Sequence, residues 1–233
     1  MNSPANHRED GSGAAGRTAD DEAEWSAERA AMVEVVRRYG VKDRRVLAAL
    51  GRVRRHCFIP ADQRRHDVAY ADQPCSIGHG QTISQPYIVA YMTERLRLRA
   101  SDTALEVGTG SGFQAAMLAE MGATVFTLER VPELAEHART VFAAEGYAGR
   151  VTVRLGDGYA GWPEHAPYDA IIVACAAETI PTALVEQLGE GGRMILPVGP
   201  VWGAQRLVFL SKKDGRVEQT DDLSVRFVPM IGA

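Results

Sequence analysis

The densest chemical signal in the chain is Leu105-Glu106-Val107-Gly108-Thr109-Gly110-Ser111-Gly112. Glycine admits left-handed backbone and lets a ligand approach the main chain, so three alternate glycines leaving an apolar strand read as a ligand-binding turn. The carboxyl end of such a strand, opening into a helix, is where α/β sheets take ligands, and Glu106, Thr109 and Ser111 are the polar groups that this turn would present. An ordinary strand-to-helix turn and a dinucleotide site are the competing readings. The spacing here is G-x-G-x-G, whereas pyrophosphate-binding turns have G-x-G-x-x-G. Glu129, followed by Arg130, ends the next expected strand, where a carboxylate can accept both ribose hydroxyls in either nucleoside class. Asp157, followed by Gly158, ends the third, where an acid can receive the exocyclic amine of adenine. A turn residue closing a strand is the alternative for Asp157.

Upstream lies a second polar run, Ile77-Gly78-His79-Gly80-Gln81-Thr82-Ile83-Ser84-Gln85-Pro86-Tyr87. Its residues alone leave Ser84 open between a turn or cap residue and a functional hydroxyl. His79 between two glycines reads as part of a backbone requirement more than as a general base, and His56 beside Arg55 as a structural polar residue. No Ser/His/Asp relay is expected.

These residues need a scaffold, and from residue 103 onward the pattern supplies one. Strands are expected at Thr103–Val107, Thr124–Glu129, Val151–Leu155, Asp169–Ala174 and Arg193–Pro197, with helices at Gly112–Met121, Pro132–Glu145 and Pro181–Leu188. Alternation of this kind predicts an α/β fold, a doubly wound and mostly parallel sheet covered on both faces. Arg206–Lys212 and Leu223–Phe227, around a turn at Asp214-Gly215, predict an antiparallel C-terminal edge. Ahead of the sheet, Ser26 is expected to cap a helix carrying Met32, Val33, Val36 and Tyr39 up to Gly40, and Asp43 a second with Val46, Leu47, Leu50 and Val53. The Pro- and Gly-dense stretch from Arg54 to Tyr87 reads as functional loop without regular structure. Residues 1–24 read as a disordered tail, and 25–233 as one domain, with a helical and acceptor segment (25–100) and a cofactor-binding core (101–233).

Composition narrows the function. A chain of 233 residues, 45% hydrophobic, can bury a full core without staples. Its net charge of −4 supplies no basic field for nucleic acid. Cys57, Cys75 and Cys175 lie far apart without C-x-x-C pairing, and the histidines lack ligand spacing, so neither disulfides nor a metal is expected. The N-terminal stretch has no apolar signal region and no membrane-spanning run, which points to the cytoplasm.

The glycine turn, Glu129 and Asp157 together resemble the pattern of class I methyltransferases, which implies a Rossmann-like fold and S-adenosyl-L-methionine as cofactor. Five segments narrow this further: the run from Ile77 to Tyr87, Arg54-Arg55-His56-Cys57-Phe58-Ile59-Pro60, Ala69-Tyr70-Ala71-Asp72-Gln73-Pro74, Pro197-Val198-Gly199-Pro200 and Val225-Arg226-Phe227-Val228-Pro229. In chain order, over roughly residues 30 to 230, they are similar to the protein L-isoaspartate O-methyltransferases. The resemblance implies Ser84 as the active-site residue, with Thr82 and Ile83 beside both cofactor and acceptor. It implies Glu129 and Asp157 as holders of ribose and adenine, and Gln205 as a residue closing over the cofactor. Trp202-Gly203-Ala204, Cys75-Ser76 and Cys175-Ala176-Ala177-Glu178 depart from the family's usual residues. The implied partners are isoaspartyl peptides and damaged proteins, met by a monomer. The alternatives are a methyltransferase dedicated to one peptide aspartate, a non-catalytic nucleoside sensor and, third, an oxidoreductase.

Overall fold

Apolar strand positions alternate between two cores, and this is what makes the sheet two-sided. The computed structural model describes residues 19–201 and 203–232. In chain order the elements are α1 (Ala19–Arg38), α2 (Arg44–Arg52), α3 (His66–Ala69), β1 (Cys75–Gly78), β2 (Gln81–Ile83) and α4 (Pro86–Leu96). Then follow β3 (Thr103–Val107), α5 (Phe113–Glu120), β4 (Thr124–Glu129), α6 (Pro132–Ala144), β5 (Val151–Leu155), β6 (Tyr168–Val173), α7 (Thr182–Gln187), β7 (Leu188–Val198), β8 (Gln205–Lys213) and β9 (Arg216–Val225). Ala104, Val125, Ala170 and Ile172 point into a core shared with α1, α2, α4, α5 and α6. Their neighbours Leu105, Val107, Ile171 and Val173 point into the opposite core, with Leu184 of α7 and Trp162. A period of two along each strand sorts them.

The main sheet has the order β5-β4-β3-β6-β7-β8-β9. The strands from β5 to β7 are parallel, and β7, β8 and β9 continue as an antiparallel meander. The order reverses between β3 and β6, and a crevice opens outside the strand ends at such a switch point. This is the expected doubly wound fold with its antiparallel edge.

Three N-terminal expectations change. Helix α1 starts at Ala19, so residues 19–24 are helix and not tail, while the rest of the expected tail lies outside the described residues. Ser26 is interior to that helix. The cause is tertiary: Trp25 is buried, stacked at 3.6 Å on His66 and 4.6 Å on His56. Glu22 meets Arg54 at 3.9 Å, and Arg37 and Arg38 suit the negative end of the helix. Second, the stretch from Arg54 to Tyr87 contains short regular pieces: a 3-10 turn at Arg55–Phe58, α3, and the antiparallel hairpin of β1 and β2. Third, α4 follows at once. Its Pro86 takes the first turn, and Val89, Ala90, Met92, Thr93 and Leu96 face inward. Helix α2 keeps its expected cap, with Asp43 Oδ1 accepting from the Arg45 N–H at 2.8 Å.

Candidate active site

The glycine turn lies at the switch point and is braced from the next strand. Gly108, Gly110 and Gly112 have φ of 90°, 52° and 89°, conformations that a side chain would strain. The N–H groups of Gly108 and Thr109 both donate to Leu128 O, at 2.9 and 3.1 Å. Glu129, buried at the end of β4, takes the Gly110 N–H on Oε2 at 2.7 Å. Its Oε1 takes the N–H groups of Arg130 and Val131 at 2.8 and 2.9 Å. Ser111 Oγ accepts from Phe113 N–H at 3.2 Å, the side-chain cap that Gly112 cannot give α5. Glu129 is thus the clamp of the turn as well as a residue lining the cleft.

That cleft is lined by Thr82, Ile83 and Ser84, by the turn from Glu106 to Ser111, and by Glu129, Arg130, Gly156 and Gly158. Glu106 continues the strand phase of Ala104 and is fully buried. Its Oε2 accepts from the Thr127 hydroxyl, and Oε1 has no hydrogen-bond partner. Burial pushes this carboxyl up to about 8, the Thr127 hydroxyl pulling against it and Glu129 adding to the rise. The Cys175 thiol, across the cleft, is pushed up to about 12 by burial, Glu129 and Glu106, so it is an inert wall residue.

Asp157 lies between two lining glycines, but its own side chain is not on the cleft wall. Its Oδ1 accepts from Tyr159 N–H at 2.9 Å and closes the turn after β5. Gly158 packs where an added Cβ would collide with Val107 Cγ1. Gln205 also stands outside the cleft. It opens β8, fully buried, with Nε2 donating to Pro200 O at 3.1 Å and Oε1 accepting from Phe227 N–H at 2.9 Å. It holds the backbone at Phe227, just beyond the last strand.

The hairpin brings the second polar run to this cleft. Gly78, His79 and Gly80 all have positive φ, at 84°, 53° and 69°, so the expected backbone role of the G-H-G run is seen directly. His56 is structural too, its Nδ1 2.8 Å from the Tyr70 hydroxyl. Buried Arg55 holds the chain on either side of β1 and β2, its guanidinium donating to Ala69 O, to Gln73 O at 3.1 Å and to Ser84 O at 3.1 Å. Asp72 holds the exit, taking Tyr87 N–H on Oδ1 and Gln85 Nε2 on Oδ2, each at 2.8 Å.

A second groove adjoins the cleft, lined by Pro74, Gln85, Ile88 and the Ser224–Val228 run. Thr82, Ser84, Ala174 and Val228 line both spaces. The 228–231 segment is a wall that sequence reasoning missed as a site. It is zipped to the end of β6 by Ala176 N–H to Val228 O at 2.8 Å and Met230 N–H to Ala176 O at 2.7 Å. Its signal was the Val225–Pro229 match, read for resemblance and not for position.

Charge tells which nucleoside fits. The turn's N–H groups at Gly108, Thr109, Gly110, Gly112 and Phe113 are all engaged within the protein, so they are not offered to a pyrophosphate. Two carboxyl groups, one with an orphaned buried oxygen, instead suit a nucleoside bearing positive charge. Fold and cleft define a class I S-adenosylmethionine-dependent methyltransferase. The family model described as protein-L-isoaspartate(D-aspartate) O-methyltransferase matches residues 27–233. The protein-L-isoaspartate O-methyltransferase of Methanoculleus marisnigri is 52% identical over 206 residues, 88% of this chain and 92% of that protein. That of Gloeobacter violaceus is 51% identical over 197 residues, 84% and 95%. A solved protein-L-isoaspartate O-methyltransferase superposes with a TM-score of 0.79 at 28% identity, over 88% of this chain and 66% of that longer one. A Plasmodium falciparum structure described by the same activity, in complex with S-adenosyl-L-homocysteine, gives 0.77 at 27%, over 87% and 98%. The chain belongs to the protein-L-isoaspartate(D-aspartate) O-methyltransferase family.

Proposed function

We propose that this protein transfers a methyl group from S-adenosyl-L-methionine to the carboxylate of L-isoaspartyl residues in damaged proteins and peptides, the step that starts their repair. The observation that carries the reading is the shared wall: Thr82 and Ser84 line the cofactor cleft and the adjoining groove at once. A group in the groove and a group in the cleft meet there.

When bound, the cofactor supplies an electrophilic methyl group on its sulfonium. The acceptor carboxylate is ionised at neutral pH, so the protein need not remove a proton from it. Its task is to hold one oxygen in line and to limit water, which can supply several kcal/mol of a displacement barrier. In this reading the hydroxyls of Ser84 and Thr82 donate to the carboxylate, positioning it without the strong pairing that would blunt its nucleophilicity. Charge supports the division of the two spaces. The cleft carries Glu106 and Glu129 with Arg130 at its exposed rim, whereas the described groove residues carry one charged side chain, Arg226. Gly108–Gly112 and Glu129 hold the nucleoside in this reading. Asp157 serves as the adenine acceptor through the oxygen that Tyr159 does not occupy.

The same reading takes the protein as a cytoplasmic monomer. The unbridged thiols of Cys75 and Cys175 support a reducing compartment. Among the described residues no helix is long and apolar enough to cross a membrane. The test of function is methyl transfer from labelled cofactor to an isoaspartyl peptide beside its aspartyl counterpart. Transfer to the isoaspartyl peptide alone is expected. Equal labelling of both, or of neither, would sink the substrate assignment, and light scattering checks the monomer.

A further inference from the structure

Glu106 presents an electrostatic problem that the apoprotein does not solve. Its carboxyl group is fully buried and lines the cofactor cleft, yet only Oε2 is hydrogen-bonded, to Thr127, whose hydroxyl is also 2.6 Å from that of Thr109. Oε1 is without a partner. The packed elements bring no cation to it. From the end of β4 comes the carboxylate of Glu129, and from beyond β6 the thiol of Cys175. From α5 come Gln114 and the Ala115 backbone, and from α4 Val89, all uncharged. Arg130 lines the cleft with its side chain at the exposed rim. Burial and the anionic neighbour outweigh the help that the Thr127 hydroxyl and the Ala115 backbone N–H give a carboxylate here, and the group avoids that cost by keeping its proton.

We propose that Glu106 reads the positive charge of the cofactor through its own proton: neutral in the empty cleft, it ionises when a cationic cofactor binds. The O–H bond at Glu106 breaks, the proton passes to solvent, and the carboxylate gains the counter-charge that the apoprotein lacks. This rests on the reading that S-adenosyl-L-methionine occupies the cleft. Glu106 is then a specificity residue, rewarding a charged nucleoside over a neutral one.

The experiment is isothermal titration of the full-length protein with S-adenosylmethionine and with S-adenosylhomocysteine, in buffers of different ionisation enthalpy. The window runs from about pH 5.5 to 7, below the range in which the ligands' own α-amino groups titrate. Release of about one proton per S-adenosylmethionine bound is expected, with affinity rising roughly tenfold per pH unit across the window. Release with both ligands assigns the effect to the shared ammonium, and release with S-adenosylmethionine alone to the sulfonium. Glu106→Gln, which keeps the shape and the bond to Thr127, should abolish the release and flatten the slope. If that variant does not fold, infrared difference spectra of the wild type replace it, and loss of a protonated-carboxyl band on binding is expected. Binding with no proton release, release that persists in Glu106→Gln, or an unchanged carboxyl band overturns the proposal. Failure of S-adenosylmethionine to bind at all overturns the cofactor reading instead, so the two failures are distinguishable.

Discussion

Ser84 and Glu129 line the same cleft, yet their removal should disturb different steps. A Ser84 hydroxyl that orients an anionic acceptor contributes about 1.5 to 3 kcal/mol, the worth of a hydrogen bond to a charged group. Ser84→Ala should therefore lower kcat/KM for an isoaspartyl peptide by roughly ten- to a hundredfold while leaving the S-adenosylhomocysteine Kd nearly unchanged. Full turnover in that variant would return the serine to a turn residue. Glu129→Ala strips the acceptor from three backbone N–H groups at the clamp of the glycine turn. The expected outcome is a Kd for S-adenosylhomocysteine weakened by about tenfold or more, with a lower melting temperature. Glu106 adds a pH dependence of stability. Its folded value is raised from 4.5 to about 8, so the unfolded chain ionises first and stability falls as pH rises across that interval. Melting curves should show Glu106→Gln gaining on the wild type from about pH 5 to 8, with little difference at pH 4. A wild-type advantage that grows with pH would contradict the buried, unpaired state of the group.

At the scale of elements, the hairpin that carries Thr82 and Ser84 is too short to hold itself in place. Two residues from outside it do so, Arg55 through carbonyl groups and Asp72 through the first turn of α4. Asp72 acts as an N-cap supplied from a distance, since Gln85 makes no side-chain cap of its own. Asp72→Ala should cost about 1 to 2 kcal/mol of stability. As a positioning residue, it should also reduce kcat/KM for the peptide with little effect on cofactor Kd, and Asp72→Asn, which retains an acceptor for Tyr87 N–H, should restore most of the loss. Equal damage to peptide turnover and cofactor affinity would mean that the hairpin and the cleft are not separately held.

Over the whole molecule, legibility followed burial and locality. The strands Thr103–Val107, Thr124–Glu129 and Val151–Leu155 have the boundaries that their residues predict, because the first two are apolar interior runs and all three are closed by turn residues. Helix α4 was hidden because Gln85-Pro86 looks like the end of a loop, although proline is equally suited to a first helical turn. Residues 19–24 looked too polar to order, and their contacts are with Arg54 and His66, far along the chain. Gln205 holds its surroundings through pairings that no local pattern contains, its two amide ends meeting Pro200 and Phe227. The glycine turn was legible because backbone conformation and residue type coincide there, whereas Thr82 and Ser84 were marked by the family resemblance alone. The clamping role of Glu129 was not legible, since it depends on which N–H groups the fold brings within 3 Å.

The wall of the cofactor cleft is drawn from residues 81–84, 106–111, 113–114, 128–131, 156, 158, 174–175 and 228–231. No contiguous fragment contains it. A ligand that touches all these segments has affinity for the fully assembled chain and almost none for states in which the hairpin or the 228–231 segment has come loose. Such a ligand acts as a reversible staple between distant parts of the sequence, adding about 2.7 kcal/mol at a hundred times its Kd. Opening of either segment alone is suppressed by the same amount as global unfolding, so the ligand protects the hairpin and the 228–231 segment as strongly as it protects the core.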